Sequence, residues 1–171
     1  MNLPQLYMRN PDITNLSPLS LPDGITLHTH VEGEEEKWEK LIESAFGHFF
    51  SFDILRKGDG YSPLKPEHVL YLAKDGKYIA TATAVERDMF PNEGWFRLVG
   101  VNPDYRGIGA GKLIALATLH SLADRGYKSV VLGTEDERIP VINLYYSIGF
   151  RPIYTHESHK SRWESILKNM N

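Results

Sequence analysis

Hydrophobic and polar residues alternate along the chain in a way that predicts six strands and five helices. Apolar residues at every second position predict strands at residues 25–31, 69–73, 78–85, 95–101, 128–132 and 151–155. Apolar residues spaced three and four apart predict helices at residues 33–46, 110–125, 139–148 and 161–170, with a short one near 52–56. An antiparallel meander is thus followed by β-α-β-α-β. This order predicts an α/β fold, α+β in type, with a central mixed sheet.

Two local signals predict how neighbouring strands pair. Asp75-Gly76 stands between two of the predicted strands, and such a pair is typical of a tight hairpin with antiparallel arms. A helix crosses between the strands at 95–101 and 128–132. Because a crossover helix returns the chain to the same end of the sheet, these two strands are predicted to be parallel.

The first 24 residues differ from the rest of the chain in their proline content. They contain four of the ten prolines, namely Pro4, Pro11, Pro18 and Pro22. Proline lacks the backbone N–H that a helix or a sheet requires. We therefore expect residues 1–24 to form an extended arm on the domain surface, with a contact in a dimer as the alternative. Residues 25–171 are expected to form one domain.

Composition and charge exclude several classes of function. The 171 residues are 42% hydrophobic and 24% charged, as in a globular protein, and the net charge is −3. This charge disfavours nucleic-acid binding, and the absence of cysteine excludes thiol nucleophiles and thiolate metal sites. No apolar run is long enough for a membrane span, and the N-terminus lacks a secretory signal pattern. We expect a cytoplasmic monomer or homodimer that has no contact with membranes.

A glycine-rich segment provides the strongest indication of chemistry. Residues 101–112 read Val-Asn-Pro-Asp-Tyr-Arg-Gly-Ile-Gly-Ala-Gly-Lys, between a predicted strand and a predicted helix. The first N–H groups of a helix have no intrahelical partner and bind phosphate, and glycines allow a close approach. Arg106 and Lys112 add positive charge on either side. The spacing matches neither a dinucleotide-binding fingerprint after a first strand nor the Gly-Lys-Ser/Thr loop of nucleotide triphosphatases.

Two motifs together resemble those of the GNAT superfamily of N-acyltransferases. The acyl-CoA signature of that family, Arg/Gln-x-x-Gly-x-Gly/Ala, is similar to the segment with Arg106, Gly109 and Gly111. A second family motif resembles Pro-Val-Ile-Asn-Leu-Tyr-Tyr-Ser-Ile-Gly-Phe at residues 140–150. The resemblance covers roughly residues 95–155 and implies a GNAT-like fold and the use of acetyl-CoA without a metal.

The resemblance also implies which residues bind the acetyl-CoA. The pyrophosphate is expected to lie on backbone N–H groups of the loop, and the pantetheine arm to pair with the backbone of the preceding strand. A backbone N–H near Val99 is the expected donor to the developing oxyanion. The implied binding residues are Val99, Val101, Arg106, Gly107, Ile108, Gly109, Ala110, Gly111 and Lys112.

The same resemblance assigns catalytic roles near the second motif. Tyr145 matches the family's general-acid tyrosine. The alternative is that Tyr145 only packs in the core. Glu135 is a candidate base or substrate-orienting acid, Asp136 is an equal candidate, and a mechanism without a single base stays open. Many family members carry Asn where this chain has Arg138. An arginine there is expected to bind a CoA phosphate, with a solvated helix-start residue as the alternative.

The acceptor is less constrained by the sequence. A small primary amine is the first expectation. A protein N-terminus or lysine is the alternative within the enzyme class, and a non-catalytic acyl-CoA-binding regulatory module is the alternative outside it. Aromatic residues at 46, 49, 50, 52 and 61 predict core packing or an apolar acceptor pocket. The pairs His28/His30 and His156/His159 are expected to make polar contacts, since a metal site needs more ligands.

Overall fold

The computed structural model describes residues 3–170, which form one seven-stranded sheet flanked by helices. The strand order across the sheet is β2-β3-β4-β5-β6-β1-β7. The strands are β1 (Leu6–Asn10), β2 (Ile25–Thr29), β3 (Val69–Lys74), β4 (Lys77–Arg87), β5 (Phe90–Val101), β6 (Val130–Thr134) and β7 (Arg151–Ile153). The helices are α1 (Glu35–Phe46), α2 (Asp53–Arg56), α3 (Ala110–Asp124), α4 (Ile139–Ser147) and α5 (His159–Lys168).

The sheet is mixed, as the sequence predicts. Strands β5 and β6 run parallel, and the other neighbouring pairs run antiparallel. The predicted hairpin is confirmed, because Lys74 pairs with Lys77 across the two residues Asp75 and Gly76. Both turn residues have positive φ, 50° and 75°, which is the backbone geometry that matches the twist of paired strands.

The expectation of an extended, unpaired N-terminal arm is wrong for residues 6–10. These residues form β1, which lies between β6 and β7 and pairs with both. Leu6 and Met8 are fully buried. Pro4 and Pro11 stand just outside the strand, so every residue of β1 keeps its backbone N–H for the sheet. The boundary at residue 24 therefore does not separate an arm from the sheet.

Helices cover both faces of the sheet. Helix α1 packs Trp38, Leu41 and Ile42 against β3 on one face. Helix α3 contributes Ile114 and Leu119 to the opposite face, where α4 and α5 also pack. Because side chains alternate along a strand, β3 directs Val69 and Tyr71 toward α1. Leu70 and Leu72 point to the opposite face, toward α3. Within residues 3–170, no helix has the length and apolarity needed to cross a membrane.

Replacing Met8 with Ala is expected to lower the free energy of unfolding by about 2–5 kcal/mol, because it opens a cavity at a buried position in a strand that is paired on both sides. Denaturant unfolding measures this change. Leu3→Ala is the matched control within the same proline-rich segment, since Leu3 is 62% exposed, and its effect is expected to stay within about 0.5 kcal/mol. Equal effects of the two substitutions would contradict the burial of β1 between β6 and β7.

Candidate active site

The parallel strands β5 and β6 separate part-way along their length. They pair at three positions, ending with Phe96 opposite Leu132. Beyond this point β5 continues to Val101 beside β4, while β6 continues to Thr134 beside β1. The sheet is therefore open between the two strands, and a ligand can enter between them.

A β-bulge bends β5 beside the opening. The pairing with β4 shifts from Thr83 opposite Arg97 to Thr81 opposite Gly100, which leaves Leu98 and Val99 in the bulge. Leu98 has φ 51°, a left-handed conformation that a leucine adopts at an energetic cost. Bulges commonly redirect a strand next to a functional site. Both bulge residues line the opening.

Two cavities meet at this opening. The larger, the loop cavity, has a volume of about 600 Å³ and is bordered by the glycine-rich loop and the start of α3. The smaller, the acceptor cavity, measures about 340 Å³ and is bordered by the separated ends of β5 and β6. Residues that line both cavities are Phe46, Val99, Arg138 and Tyr145. The two cavities therefore share part of their walls, and the shared part includes the Tyr145 side chain.

The glycine-rich loop has the geometry of an open helix N-terminus. Gly107 and Gly109 have φ 84° and 82°, and nothing lies within 4 Å of where a Cβ would stand on either. Gly109 is the N-cap of α3, a helix of 15 residues. At Gly111 a Cβ would approach a Leu144 methyl group to 3.3 Å, so this glycine allows close packing of α3 against α4.

The structure places most predicted CoA-binding residues around the loop cavity. Its lining includes Val99, Val101, Arg106, Gly107, Gly109, Ala110, Gly111, Lys112 and Arg138. Ile108 is different, because its side chain is 47% exposed and stands outside this lining. The Arg106 guanidinium donates a hydrogen bond of 3.0 Å to the carbonyl of Ala45, which ties the loop to the end of α1. The predicted binding roles of these residues stay predictions.

Tyr145 lies where the two cavities meet. Its side chain is 5% exposed and packs against Phe96 and Phe150. Burial raises the pKa of Tyr145 to about 12, while the nearby Arg138 charge acts in the opposite direction. The phenol therefore keeps its proton at neutral pH. Tyr146, the next residue, faces away and lies under the Arg151 guanidinium, 4.7 Å from ring centroid to guanidinium carbon.

The structure separates the two candidate acids after β6. Glu135 lines the acceptor cavity, 3.6 Å from an Arg138 nitrogen, and accepts a hydrogen bond from Gln5. Asp136 instead accepts hydrogen bonds from Arg162 in α5, which also binds the carbonyl of Pro4. The Arg162 guanidinium holds the pKa of Asp136 below its usual range. Asp136 thus links α5 to the sheet, and Glu135 remains the candidate acid of the cavity.

The aromatic segment is divided between core and cavity. Phe46, Phe50 and Tyr61 line the acceptor cavity, Phe52 is buried in the core with α1, and Phe49 is 59% exposed. Core packing therefore applies to Phe52, and the acceptor pocket stays a prediction for Phe46, Phe50 and Tyr61. The acceptor cavity also contains residues that the sequence analysis did not identify: Gln5, Trp95 and Arg97. Arg97 could have been found from the sequence, because it is a charged residue inside the otherwise apolar strand at 95–101.

The paired histidines make polar contacts of different kinds. His30 is buried, stacks on Phe52 with ring centroids 4.4 Å apart, and shares a hydrogen bond with the Tyr71 hydroxyl. His28 contacts the Thr26 hydroxyl on the exposed side of β2. In residues 3–170 no group of three or more His, Asp or Glu side chains has a geometry suited to a metal ion. The assignment of a metal-free protein stays a prediction.

Comparison with known proteins identifies the family. Residues 32–150, more than half of the chain, match the model of the Acetyltransferase (GNAT) family. The chain belongs to the GNAT acetyltransferase family. The resemblance based on the glycine-rich loop and the Tyr145 motif is confirmed, and so is the mixed-sheet GNAT fold that it implied.

Curated GNAT relatives include mycothiol acetyltransferases. The one from Thermomonospora curvata is 31% identical over 153 residues, which is 85% of this chain and 50% of the relative. The one from Saccharomonospora viridis is 30% identical over 149 residues, 79% of this chain and 48% of the relative. The chain therefore spans about half the length of these curated relatives.

Solved GNAT structures share the fold. A GCN5-related N-acetyltransferase from Sphaerobacter thermophilus has a TM-score of 0.69 at 24% identity, covering 87% of this chain and 48% of that one. A GNAT family acetyltransferase from Elizabethkingia anophelis with acetyl-CoA bound has a TM-score of 0.60 at 18% identity. The match covers 76% of this chain and 78% of that one. At these identities the likeness establishes the fold alone.

Replacing Asp136 with Asn is expected to lower the Tm at pH 7, because Arg162 loses its carboxylate partner. The pKa of Asp136 is lower in the folded state than in the unfolded state, so the carboxylate contributes stability above its unfolded pKa of about 4. This contribution is lost as the pH falls through the folded pKa. The difference in Tm between variant and wild type should therefore shrink in acid, as thermal melts followed by circular dichroism would show.

Glu135→Gln is the control for this experiment. Glu135 is the neighbouring acid, its side chain is 48% exposed, and its nearest cation is 3.6 Å away. Exposed ion pairs contribute little to stability, so the Tm of this variant should stay close to that of the wild type at both pH values. The same loss of Tm in both variants would argue against a structural role specific to Asp136.

Proposed function

We propose that this chain catalyses transfer of an acetyl group from acetyl-CoA to a primary amine by direct attack. The observation that carries the proposal is that the loop cavity and the acceptor cavity meet at Tyr145, between the separated strands β5 and β6. Such a junction brings an acyl donor and an amine together, and placing two reactants in contact removes much of the entropic barrier to their reaction. Membership of the GNAT family supports the same reaction.

The loop cavity has the features that CoA requires. Its phosphates need hydrogen-bond donors and positive charge, and the N-terminus of α3 supplies both together with Lys112. The absence of side chains at Gly107 and Gly109 leaves space for a phosphate against the backbone. Apolar residues along the rest of the cavity, Val99, Val101, Val141 and Leu144, suit the less polar pantetheine arm. When bound, acetyl-CoA supplies the acetyl thioester.

The residues at the junction divide the chemical tasks. The backbone N–H of Val99, in the bulge of β5, is the proposed donor to the negative charge that develops on the thioester oxygen. The Tyr145 hydroxyl is the proposed general acid for the leaving thiolate, because its pKa of about 12 keeps it protonated and above that of a thiol. Glu135 is proposed to orient the incoming amine, and Arg138 to contact CoA.

The size of the acceptor cavity supports a small-molecule amine. At about 340 Å³ it lies at the lower end of small-ligand sites. Phe46, Phe50 and Tyr61 form part of its wall. A protein N-terminus or a lysine side chain would have to extend past these rings, so a small acceptor is favoured. The mycothiol acetyltransferase relatives are consistent with acetylation of a small molecule, as their names describe it.

The wild type is expected to bind acetyl-CoA with a micromolar Kd, which is a binding free energy of about −8 kcal/mol. Gly109→Asp is expected to raise this Kd at least tenfold, because it places a negative charge at the N-terminus of α3, where the phosphates are proposed to bind. Isothermal titration calorimetry measures the affinity. Gly126→Asp is the matched control at the other end of the same helix, where the glycine also has positive φ and open space around it. Equal affinities in the two folded variants would refute the proposed phosphate site.

Tyr145→Phe is expected to lower kcat on the order of a hundredfold, the effect of losing a general acid, with little change in acetyl-CoA affinity. Release of free CoA thiol in the presence of an amine measures the rate. Tyr146→Phe removes the hydroxyl of the adjacent tyrosine, which lies outside both cavities, and should leave kcat unchanged. An unaltered kcat in Tyr145→Phe would show that Tyr145 only packs in the core. Acetyl-CoA binding without turnover of any amine would favour the regulatory alternative.

A further inference from the structure

Arg97 occupies a prominent position in the wall of the acceptor cavity. It follows Phe96, the last β5 residue to pair with β6, and so stands where the sheet opens. Its guanidinium carbon lies 4.0 Å from the centroid of the Tyr61 ring. At Gly58 a Cβ would come within 3.1 Å of an Arg97 nitrogen, so the loop packs closely against the guanidinium. The group is therefore held in place at the cavity wall.

A second arginine packs against Tyr61 and also against Trp95, another residue of the cavity wall. The Arg87 guanidinium carbon is 4.6 Å from the Trp95 ring centroid and 5.4 Å from that of Tyr61. Its Nη1 is buried and has no hydrogen-bond partner within residues 3–170. Burial lowers the pKa of Arg97, Tyr61 acts in the opposite direction, and the charge on Arg87 adds to the lowering. Arg97 thus places a positive charge in the cavity wall, and Arg87 adds a second one against Tyr61 and Trp95, outside the lining.

Among the described residues, these two arginines have neither an acidic partner nor a hydrogen bond from the guanidinium. Arg106, Arg125 and Arg151 also have no carboxylate within 4 Å, but each donates hydrogen bonds to backbone carbonyls. Arg9, Arg56, Arg138 and Arg162 each lie within 4 Å of a carboxylate oxygen. In the part of the chain that the structure describes, no carboxylate lies within that distance of Arg87 or Arg97. A partly buried charge without a partner costs stability, so a compensating ligand is expected.

Aromatic stacking does not satisfy the hydrogen-bonding groups of these arginines. A ring covers the face of the planar guanidinium, whereas the five N–H donors point outward in its plane. A carboxylate accepts two such donors side by side in a fork geometry. Stacking on Tyr61 therefore orients Arg97 and leaves its donors available at the cavity wall.

We propose that the acceptor is an amine that also carries a carboxylate, and that Arg97 binds this carboxylate with the support of Arg87. This inference rests on the proposed acetyl transfer and names the class of its acceptor. Amino acids and other small amino carboxylates belong to this class and suit a cavity of about 340 Å³. Arg97 acts by positioning the acceptor, so that its amine reaches the junction beside Tyr145.

The test compares acceptors that differ in the carboxylate alone. Alanine is paired with alaninamide, and β-alanine with β-alaninamide, and kcat/KM is measured with the full chain from release of CoA thiol. The amide is the less basic amine and intrinsically the easier to deprotonate, so a preference for the carboxylate reports binding. Wild type is expected to prefer at least one carboxylate over its amide by tenfold or more, mainly through KM for the acceptor.

Variants of Arg97 establish whether that preference depends on this residue. Arg97→Gln removes the charge and should abolish the preference, while Arg97→Lys keeps the charge without the fork and should retain part of it. Arg151→Gln is the matched control, an arginine stacked on Tyr146 outside both cavities, and should keep the full preference. A structural role for Arg97 would instead lower the rates for carboxylate and amide acceptors equally.

A binding measurement keeps the test valid if neither acceptor pair is turned over. Glutarate, a dicarboxylate without an amine, is titrated into wild type and Arg97→Gln in the presence of CoA while the Tm is followed. A rise in Tm for wild type that is absent in Arg97→Gln supports the anion site, even if acetyl transfer itself fails. Equal kcat/KM for carboxylates and amides, a preference retained in Arg97→Gln, or no glutarate effect without turnover would overturn the proposal.

Discussion

The separation of β5 from β6 after Phe96 is the constraint on which the rest of the site depends. Where two strands separate, the backbone groups that face the gap lose their sheet partners, so each strand must be held by pairing on its other side. Here β5 remains paired with β4 on its other side, and β6 is paired along its whole length with β1. The sheet can therefore open in its middle without losing either strand. The strand that holds β6 in place is β1, which comes from the proline-rich N-terminal segment.

Much of the fold could be predicted because it depends on local sequence patterns. The apolar periodicity of α1, the turn at Asp75-Gly76 and the loop before α3 each act over a few residues. Strand β1 was missed because its pairing with β6 joins residues more than a hundred positions apart, and nearby prolines concealed it. The left-handed conformation of Leu98 was also not predictable, since leucine has no local preference for it and the surrounding sheet imposes it.

The same distinction applies to the site. The loop residues 106–112 and Tyr145 belong to motifs whose spacing can be read directly, and the structure places most of them around the two cavities. Gln5 and Arg97 join the acceptor cavity through long-range folding of β1 and the opening of the sheet. The acids after β6 were equivalent in sequence. They differ in the structure because α5 brings Arg162 to Asp136 alone.

The distribution of charge around the acceptor cavity favours one orientation of a bound acceptor. Its β6 side ends in Glu135, beside Arg138, whereas its β5 side holds Arg97 without an acidic partner. An acceptor with both an amine and a carboxylate meets a group of opposite charge on each side. Because electrostatic interactions strengthen away from water, such an arrangement favours one orientation over its reverse. The orientation with the carboxylate on Arg97 leaves the amine toward Glu135 and the junction with the loop cavity, where acetyl transfer is proposed to occur.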